Sequence, residues 1–140
     1  MSLIWTQNMS VRIEQFDDDH KKLIRYVNEL QSQIQDAKAT GTIDPVEIEV
    51  IFHRMENYAK FHFSSEEKAM EKTGFPGLEE HRADHRNFIA TVAKMSERFL
   101  GSNDLKHADE IMQFLHAWIT DHVYRVDGKY VDHLHKHEYD

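Results

Sequence analysis

The residues best suited to chemistry in this sequence are histidines and a glutamate that interrupt otherwise apolar helix faces. His62 and Glu66 are four residues apart, as are His81 and His85, and this spacing brings two side chains onto one helix face, about one turn apart. Polar groups at buried positions are costly unless they are paired or bind a ligand. The pattern favours a metal site with six candidate ligands: His20, His62, Glu66, His81, His85 and His122.

Apolar residues recur at helical spacing in four segments that glycine, proline and capping residues separate. The pattern predicts helices at about 17–39, 45–71, 77–100 and 104–133, after an extended arm over about 1–16. The connections are only a few residues long, so consecutive helices should be antiparallel neighbours. We therefore predict an all-α fold, an up-down-up-down four-helix bundle with an extended N-terminal arm, in which residues 1–140 form one domain.

In such a bundle the six candidates should meet at one end. They come from the start of the first and third predicted helices and from late positions in the second and fourth. Because the helices alternate in direction, all of these positions lie at the same level. This agreement favours one shared metal site over separately satisfied core histidines.

The other histidines fit this site less well. His116 and Asp121 repeat the five-residue spacing of His122 and Asp127 and offer an alternative register. His116, however, lies beside the apolar stripe of its helix and further from the end where the other candidates gather. The C-terminal segment HLHKHEYD carries another pair of histidines four residues apart, and its composition predicts a solvated tail.

Acidic residues next to the candidate ligands suit either of two roles. Asp17, Asp18, Asp19 and Asp121 could cap helices, or could accept a hydrogen bond from the second ring nitrogen of a ligand histidine and so orient it. Solvated capping is favoured for most of them.

Composition limits the classes of function. The chain has 140 residues and no cysteine, so any metal must be held by nitrogen and oxygen atoms. A formal net charge of -8 disfavours nucleic acid and anionic lipid as partners. No apolar stretch approaches the roughly 20 residues of a membrane span, and the N-terminus lacks a signal-like apolar run. We therefore expect a cytoplasmic protein with no membrane partner.

Four motifs together resemble those of the bacterial hemerythrins over essentially the whole chain: FDDDHKKL, HFSSEEKAM, HRADH and WITDHVYRVDGKY. The resemblance implies a pair of iron ions (Fe2+/Fe3+) bridged by two carboxylates and an oxo or hydroxo group. One iron would be bound by His81, His85 and His122. The other would be bound by His20 and His62, while Glu66 and Asp127 would bridge the two.

Counting ligands under this resemblance leaves one open position. Two roughly octahedral ions offer about 12 positions, of which the histidines and bridges fill about 11. The resemblance implies that dioxygen binds reversibly at the open position, on the iron held by His20 and His62. Ile119 and Val123 flank His122 and are candidates for an apolar oxygen pocket, although ordinary core packing explains them equally well. We therefore predict an oxygen-binding protein and not an enzyme.

Asp127 does not share a helix face with His122 in a regular α-helix. Five residues rotate about 500 degrees, which leaves the two side chains roughly 140 degrees apart. A π-type bulge, with about 4.4 residues per turn, would realign them. We therefore predict an irregularity in the helix between His122 and Asp127.

Other functions on a helical scaffold predict other sequence features. A ferritin-like oxidase would carry Glu-x-x-His on two helices, and no glutamate of this chain is followed three residues later by histidine. A peroxidase or a nitric oxide-reactive protein on the same scaffold stays open, as does the choice between an oxygen carrier, a store and a sensor. Ligand type alone also leaves zinc and manganese open beside iron.

Overall fold

A computed structural model of the chain describes residues 3–122 and 127–137, with the backbone alone at 127–129. These residues are largely helical and include no β-strand. The helices are α1 Glu14–Thr40, α2 Pro45–Thr73, α3 Leu78–Ser102, α4 Leu105–Asp121 and α5 Asp127–Lys136, after a short 3-10 helix at Gln7–Met9. None of the described helices is long and apolar enough to span a membrane.

Local sequence determines where the first two helices meet. The side chain of Asp44 accepts a hydrogen bond from the N–H of Glu47 at 3.2 Å and precedes Pro45, which makes Asp44 the N-cap of α2. Gly41 and Gly74 follow α1 and α2 with φ angles of 73° and 70°. Glycine adopts this left-handed conformation without a steric penalty, and it ends each helix abruptly.

The helices pack as a closed ring of neighbours. α1 contacts α2, α2 contacts α3, α3 contacts α4, and α4 returns to α1. Short connections make consecutive helices antiparallel, and α5 lies against α2. The prediction of an all-α, up-down-up-down four-helix bundle is confirmed.

The apolar core consists of two clusters. The larger cluster fills the bundle and includes Leu23 and Phe63, whereas the smaller cluster joins the N-terminal arm to α5 and includes Phe16 and Met70. His20 lies in the sequence between Phe16 of one cluster and Leu23 of the other. The candidate ligands therefore form a polar layer between two apolar clusters.

The N-terminal arm packs against both apolar clusters, and α1 begins at Glu14 and not near Asp17. Asp17 lies inside the helix, where its carboxylate accepts hydrogen bonds from the N–H of Val11 at 2.8 Å and from the hydroxyl of Ser10 at 2.6 Å. Val11 and Ile13 are buried in the smaller cluster. Asp17 thus anchors the arm to the helix.

Within the segment predicted as one helix, 104–133, the described residues form α4 and α5. Regular α-helix ends at Asp121, and α5 runs from Asp127 to Lys136. His122 has π-type hydrogen bonding, which agrees with the predicted irregularity at its first residue. The remainder of that irregularity, at 123–126, lies outside the described residues.

The described part of the C-terminal histidine segment is not a solvated tail. Leu134 is fully buried in the smaller cluster, and Nε2 of His133 lies 2.9 Å from the carbonyl oxygen of Thr73. The prediction is wrong because one face of α5 is apolar, with Tyr130 and Leu134 one turn apart. The arm and α2 cover that face.

Candidate metal centre

Six of the seven predicted ligands lie together in the polar layer. α1 supplies His20, α2 supplies His62 and Glu66, α3 supplies His81 and His85, and His122 directly follows α4. Each of these six residues is no more than 4 % exposed. Burying imidazoles around a carboxylate is costly unless charge and lone pairs are satisfied, and a bound cation satisfies both.

One half of the layer is formed by α1 and α2. His20, His62 and Glu66 each offer one ligand atom, and these atoms lie within 4.8 Å of one another. The rings of His20 and His62 meet edge to face, with 4.7 Å between their centroids. Nε2 of His62 also contacts Oε1 of Glu66. These three residues could hold one metal ion.

The other half is formed where α3 meets the end of α4. Glu66, His85 and His122 form a second group whose ligand atoms also lie within 4.8 Å of one another. Nε2 of His122 is 3.6 Å from Oε1 of Glu66. Glu66 therefore belongs to both groups, which is the position that a bridging carboxylate would occupy.

His81 and Asp127 are the two predicted ligands that the groups found among the described residues do not include. The ring centroid of His81 is 5.4 Å from that of His85 and 6.0 Å from that of His122, so His81 borders the second group. Asp127 begins α5, but its side chain lies outside the described residues. Both remain ligands predicted from the sequence.

A carboxylate behind His62 sets the orientation of its ring. Oδ2 of Asp19 lies 2.8 Å from Nδ1 of His62, and Oδ1 accepts a hydrogen bond from the hydroxyl of Tyr58 at 2.6 Å. Burial raises the pKa of the Asp19 carboxyl, but the hydrogen bonds from His62 and Tyr58 outweigh burial and hold this pKa below its usual value. Because an ionised carboxylate only accepts, Nδ1 carries the proton and Nε2 keeps its lone pair for a metal. Asp19 takes the orienting role, the second of the two predicted for it.

Glu67 plays the same part for His85. Its Oε2 lies 2.9 Å from Nδ1 of His85, and its Oε1 accepts a hydrogen bond from Nε of Arg82 at 3.2 Å. Burial lowers the pKa of His85 although Glu66 and Glu67 oppose this, so the ring is neutral near pH 7. Among the described residues, Nε2 of His85 has no hydrogen-bond partner. A neutral, oriented imidazole with a buried lone pair is the donor that metal binding requires.

Tyr130 fixes the shared carboxylate. Tyr130 is fully buried, and its hydroxyl donates a hydrogen bond to Oε2 of Glu66. Glu67 and Tyr130 lie in two of the four motifs that resemble those of the hemerythrins, whereas Tyr58 lies in none of them. The orienting roles of these three residues were not predicted, because the partner of each lies on another helix.

Aromatic rings cover the second group. Phe63 stacks on His85 with 3.9 Å between centroids, and Trp118 stacks on His122 with 4.3 Å. Trp118 also packs against Phe88 at 4.0 Å. These contacts hold the imidazole planes and keep water away from them.

Other predicted residues lie beside the layer. His116 lies outside both groups, with Nε2 3.3 Å from Oε1 of Gln31, and Asp121 is exposed. Ile119 is buried in the larger cluster, whereas Val123 lies outside the described residues. The oxygen pocket therefore stays a prediction.

The donor set fits a pair of metal ions. Imidazole nitrogens with carboxylate oxygens suit iron, zinc and manganese, and the absence of cysteine excludes thiolate sites. Each of the two adjacent groups brings three ligand atoms together around the carboxylate that they share, so each group could hold one ion.

Known proteins resemble this chain in sequence. Residues 11–134 match the model of the hemerythrin HHE cation binding domain. The chain is 30% identical over 138 residues to a bacteriohemerythrin of Stenotrophomonas maltophilia (strain R551-3), a match that covers 96% of this chain and 83% of that protein. It is 25% identical over 131 residues to a myohemerythrin of Riftia pachyptila, which covers 94% of this chain and 92% of that protein.

A crystal structure of wild-type hemerythrin resembles the fold with a TM-score of 0.78 at 26% identity, and the match covers 94% of this chain and 97% of that one. Sequence and fold thus agree over nearly the whole length. The chain therefore belongs to the hemerythrin family.

Proposed function

We propose that this protein holds two iron ions in its polar layer and binds dioxygen reversibly there. The observation that carries the proposal is that Glu66 belongs to two groups of buried histidines. The similarity to a bacteriohemerythrin and a myohemerythrin supports the same function. When bound, the iron pair supplies the redox chemistry that lets dioxygen be taken up and released.

Seven residues would hold the iron pair. They are His20 and His62 for one ion, His81, His85 and His122 for the other, and Glu66 and Asp127 between them. The short distances within the two groups support five of these ligands: His20, His62, Glu66, His85 and His122. The place of Asp127 rests on the resemblance in sequence.

The residues around the ligands prepare them to bind metal. Asp19 and Glu67 keep the protons of His62 and His85 on Nδ1, so that the lone pair of Nε2 can bind a metal ion. Tyr130 holds one oxygen of Glu66. Outer hydrogen bonds of this kind fix the tautomer and ring orientation of ligand histidines and raise metal affinity.

Reversible binding also requires that water be kept from the bound gas. In the second group, Phe63 stacks on His85 and Trp118 stacks on His122. Ile119 and Val123 are the proposed apolar lining beside His122. Binding at such a site would serve an oxygen carrier, a store or a sensor equally well.

Iron loading tests the proposal. The full-length protein is loaded with Fe2+ without oxygen, its iron content is measured, and its visible spectrum is recorded under oxygen and again under inert gas. We expect a pair of iron ions per chain and an absorption band that appears with oxygen and disappears when oxygen is removed. Iron binding without a reversible band would refute the oxygen-binding function.

A matched pair of variants tests the ligand assignment. Glu66→Ala should abolish iron retention because both groups lose their shared carboxylate. His116→Ala should retain iron, since His116 lies outside both groups. The opposite outcome would show that the ligand register is wrong.

A further inference from the structure

A cavity of about 530 Å³ lies between α2 and α3. Its apolar wall is formed by Phe63, Ile89, Ala90 and Ala93. Small-molecule sites are clefts of roughly 300–1,000 Å³ with mainly apolar linings. The cavity has the size and wall of such a site and is far larger than dioxygen needs.

The charged residues around the cavity give it a sign opposite to that of the whole chain. They are Lys60, Lys68, Arg82, Arg86, Glu67 and Glu71. Four positive against two negative side chains leave a balance of two positive charges, in a protein whose formal net charge is -8. Such a local excess attracts anions.

Arg82 is paired with both of the carboxylates that line the cavity. Its Nε lies 3.2 Å from Oε1 of Glu67, and its Nη2 lies 3.4 Å from Oε2 of Glu71. The other three cations form no ion pair within the part of the chain that the structure describes. They are therefore available to a ligand at the rim of an apolar wall.

We propose that this cavity binds an amphipathic organic anion, a carboxylate attached to a medium-length hydrocarbon chain. The hydrocarbon would lie against Phe63 and Ile89, and the carboxylate would face Lys60, Lys68 and Arg86. A bare inorganic anion would leave the apolar wall uncovered, and a neutral hydrocarbon would leave the cations unused. Binding there requires neither iron nor dioxygen, although His85 lines the same cavity.

Octanoate is a suitable probe. Its binding to the full-length protein is measured by titration calorimetry, in parallel with 1-octanol, which has the same chain without the charge. We expect saturable binding of one octanoate per chain. Each exposed ion pair changes affinity by about 1.4- to 5-fold, so three cations should make octanoate bind at least about threefold more tightly than octanol.

Two variants that add one negative charge locate the site. Ala90 and Gln35 are both exposed on helices, so replacing either by glutamate should preserve the fold, but only Ala90 lines the cavity. Ala90→Glu should weaken octanoate binding by about two- to fivefold, and Gln35→Glu should leave it unchanged. Lack of saturable binding, equal affinity for octanol, or equal affinity in the two variants would overturn the assignment.

Discussion

Replacing Asp19 by asparagine isolates the contribution of the carboxylate that orients His62. Asp19 is 4 % exposed, and its oxygens face Nδ1 of His62 at 2.8 Å and the hydroxyl of Tyr58 at 2.6 Å. Asparagine has almost the same size but only one acceptor oxygen and no charge. The variant therefore loses one hydrogen bond and converts the other from a charged to a neutral one.

The expected magnitude follows from these two bonds. A hydrogen bond to a charged group contributes about 1.5–3 kcal/mol, and a neutral one about 0.5–1.5 kcal/mol. Asp19→Asn should therefore lower the free energy of unfolding of the metal-free protein by about 2–4 kcal/mol. Because an amide can face Nδ1 with either its oxygen or its N–H group, asparagine does not impose one tautomer on His62, and iron affinity should fall by about 10- to 100-fold.

Asp18→Asn is the matched control, since Asp18 is the neighbouring residue and is exposed. Urea unfolding of the metal-free proteins gives the stability difference, and anaerobic competition with a chelator gives the iron affinity. The control should stay within about 0.5 kcal/mol of the unmodified protein and bind iron normally. Equal behaviour of the two variants in both assays would refute the orienting role of Asp19.

Three further predictions concern other residues around the layer. Glu67→Gln should weaken iron binding by about 10- to 100-fold, because the ring of His85 loses the carboxylate that orients it. Glu71→Gln also removes a partner of Arg82 but should leave iron binding unchanged. Chelator competition measures both affinities, and equal values would exclude an orienting role for Glu67. Tyr130→Phe removes the hydroxyl that binds Glu66 and should lower the free energy of unfolding of the metal-free protein by about 1–3 kcal/mol in urea; an unchanged value would mean that the contact contributes nothing. Burial lowers the pKa of His116 below its usual 6.5, so this group contributes stability that is present above pH 6.5 and is lost as the pH falls towards the folded-state pKa. The loss of unfolding free energy between about pH 8 and about pH 5.5 should accordingly be smaller in metal-free His116→Gln, and an equal loss would contradict this.

Helix positions and the polar layer could be predicted because both depend on local periodicity. The same spacing that makes a helix face apolar shows where that face is interrupted, as at His62 and Glu66. Antiparallel order then brings the interruptions to one level. The capping residue Asp44 and the glycine at 41 likewise act within a few residues of themselves.

Contacts with segments that are distant in sequence, and the burial that they cause, could not be predicted in the same way. Asp17 looked like the start of a helix, but it binds the backbone of the arm. The segment that includes Leu134 looked solvated because its composition is polar, yet the arm and α2 bury one face of it. Burial depends on which segments meet, and composition within a window does not contain that information.

The helices, the polar layer and the resemblance to the hemerythrins follow from local sequence alone. The side chains that orient the layer depend on tertiary packing, because the paired residues are far apart in sequence: 43 residues for Asp19 and His62, 18 for Glu67 and His85, and 64 for Glu66 and Tyr130. The cationic cavity likewise depends on tertiary packing, because its lining residues come from both α2 and α3. A carboxylate on one helix orients a histidine on another only after packing brings them within hydrogen-bond distance, and local periodicity cannot specify that distance.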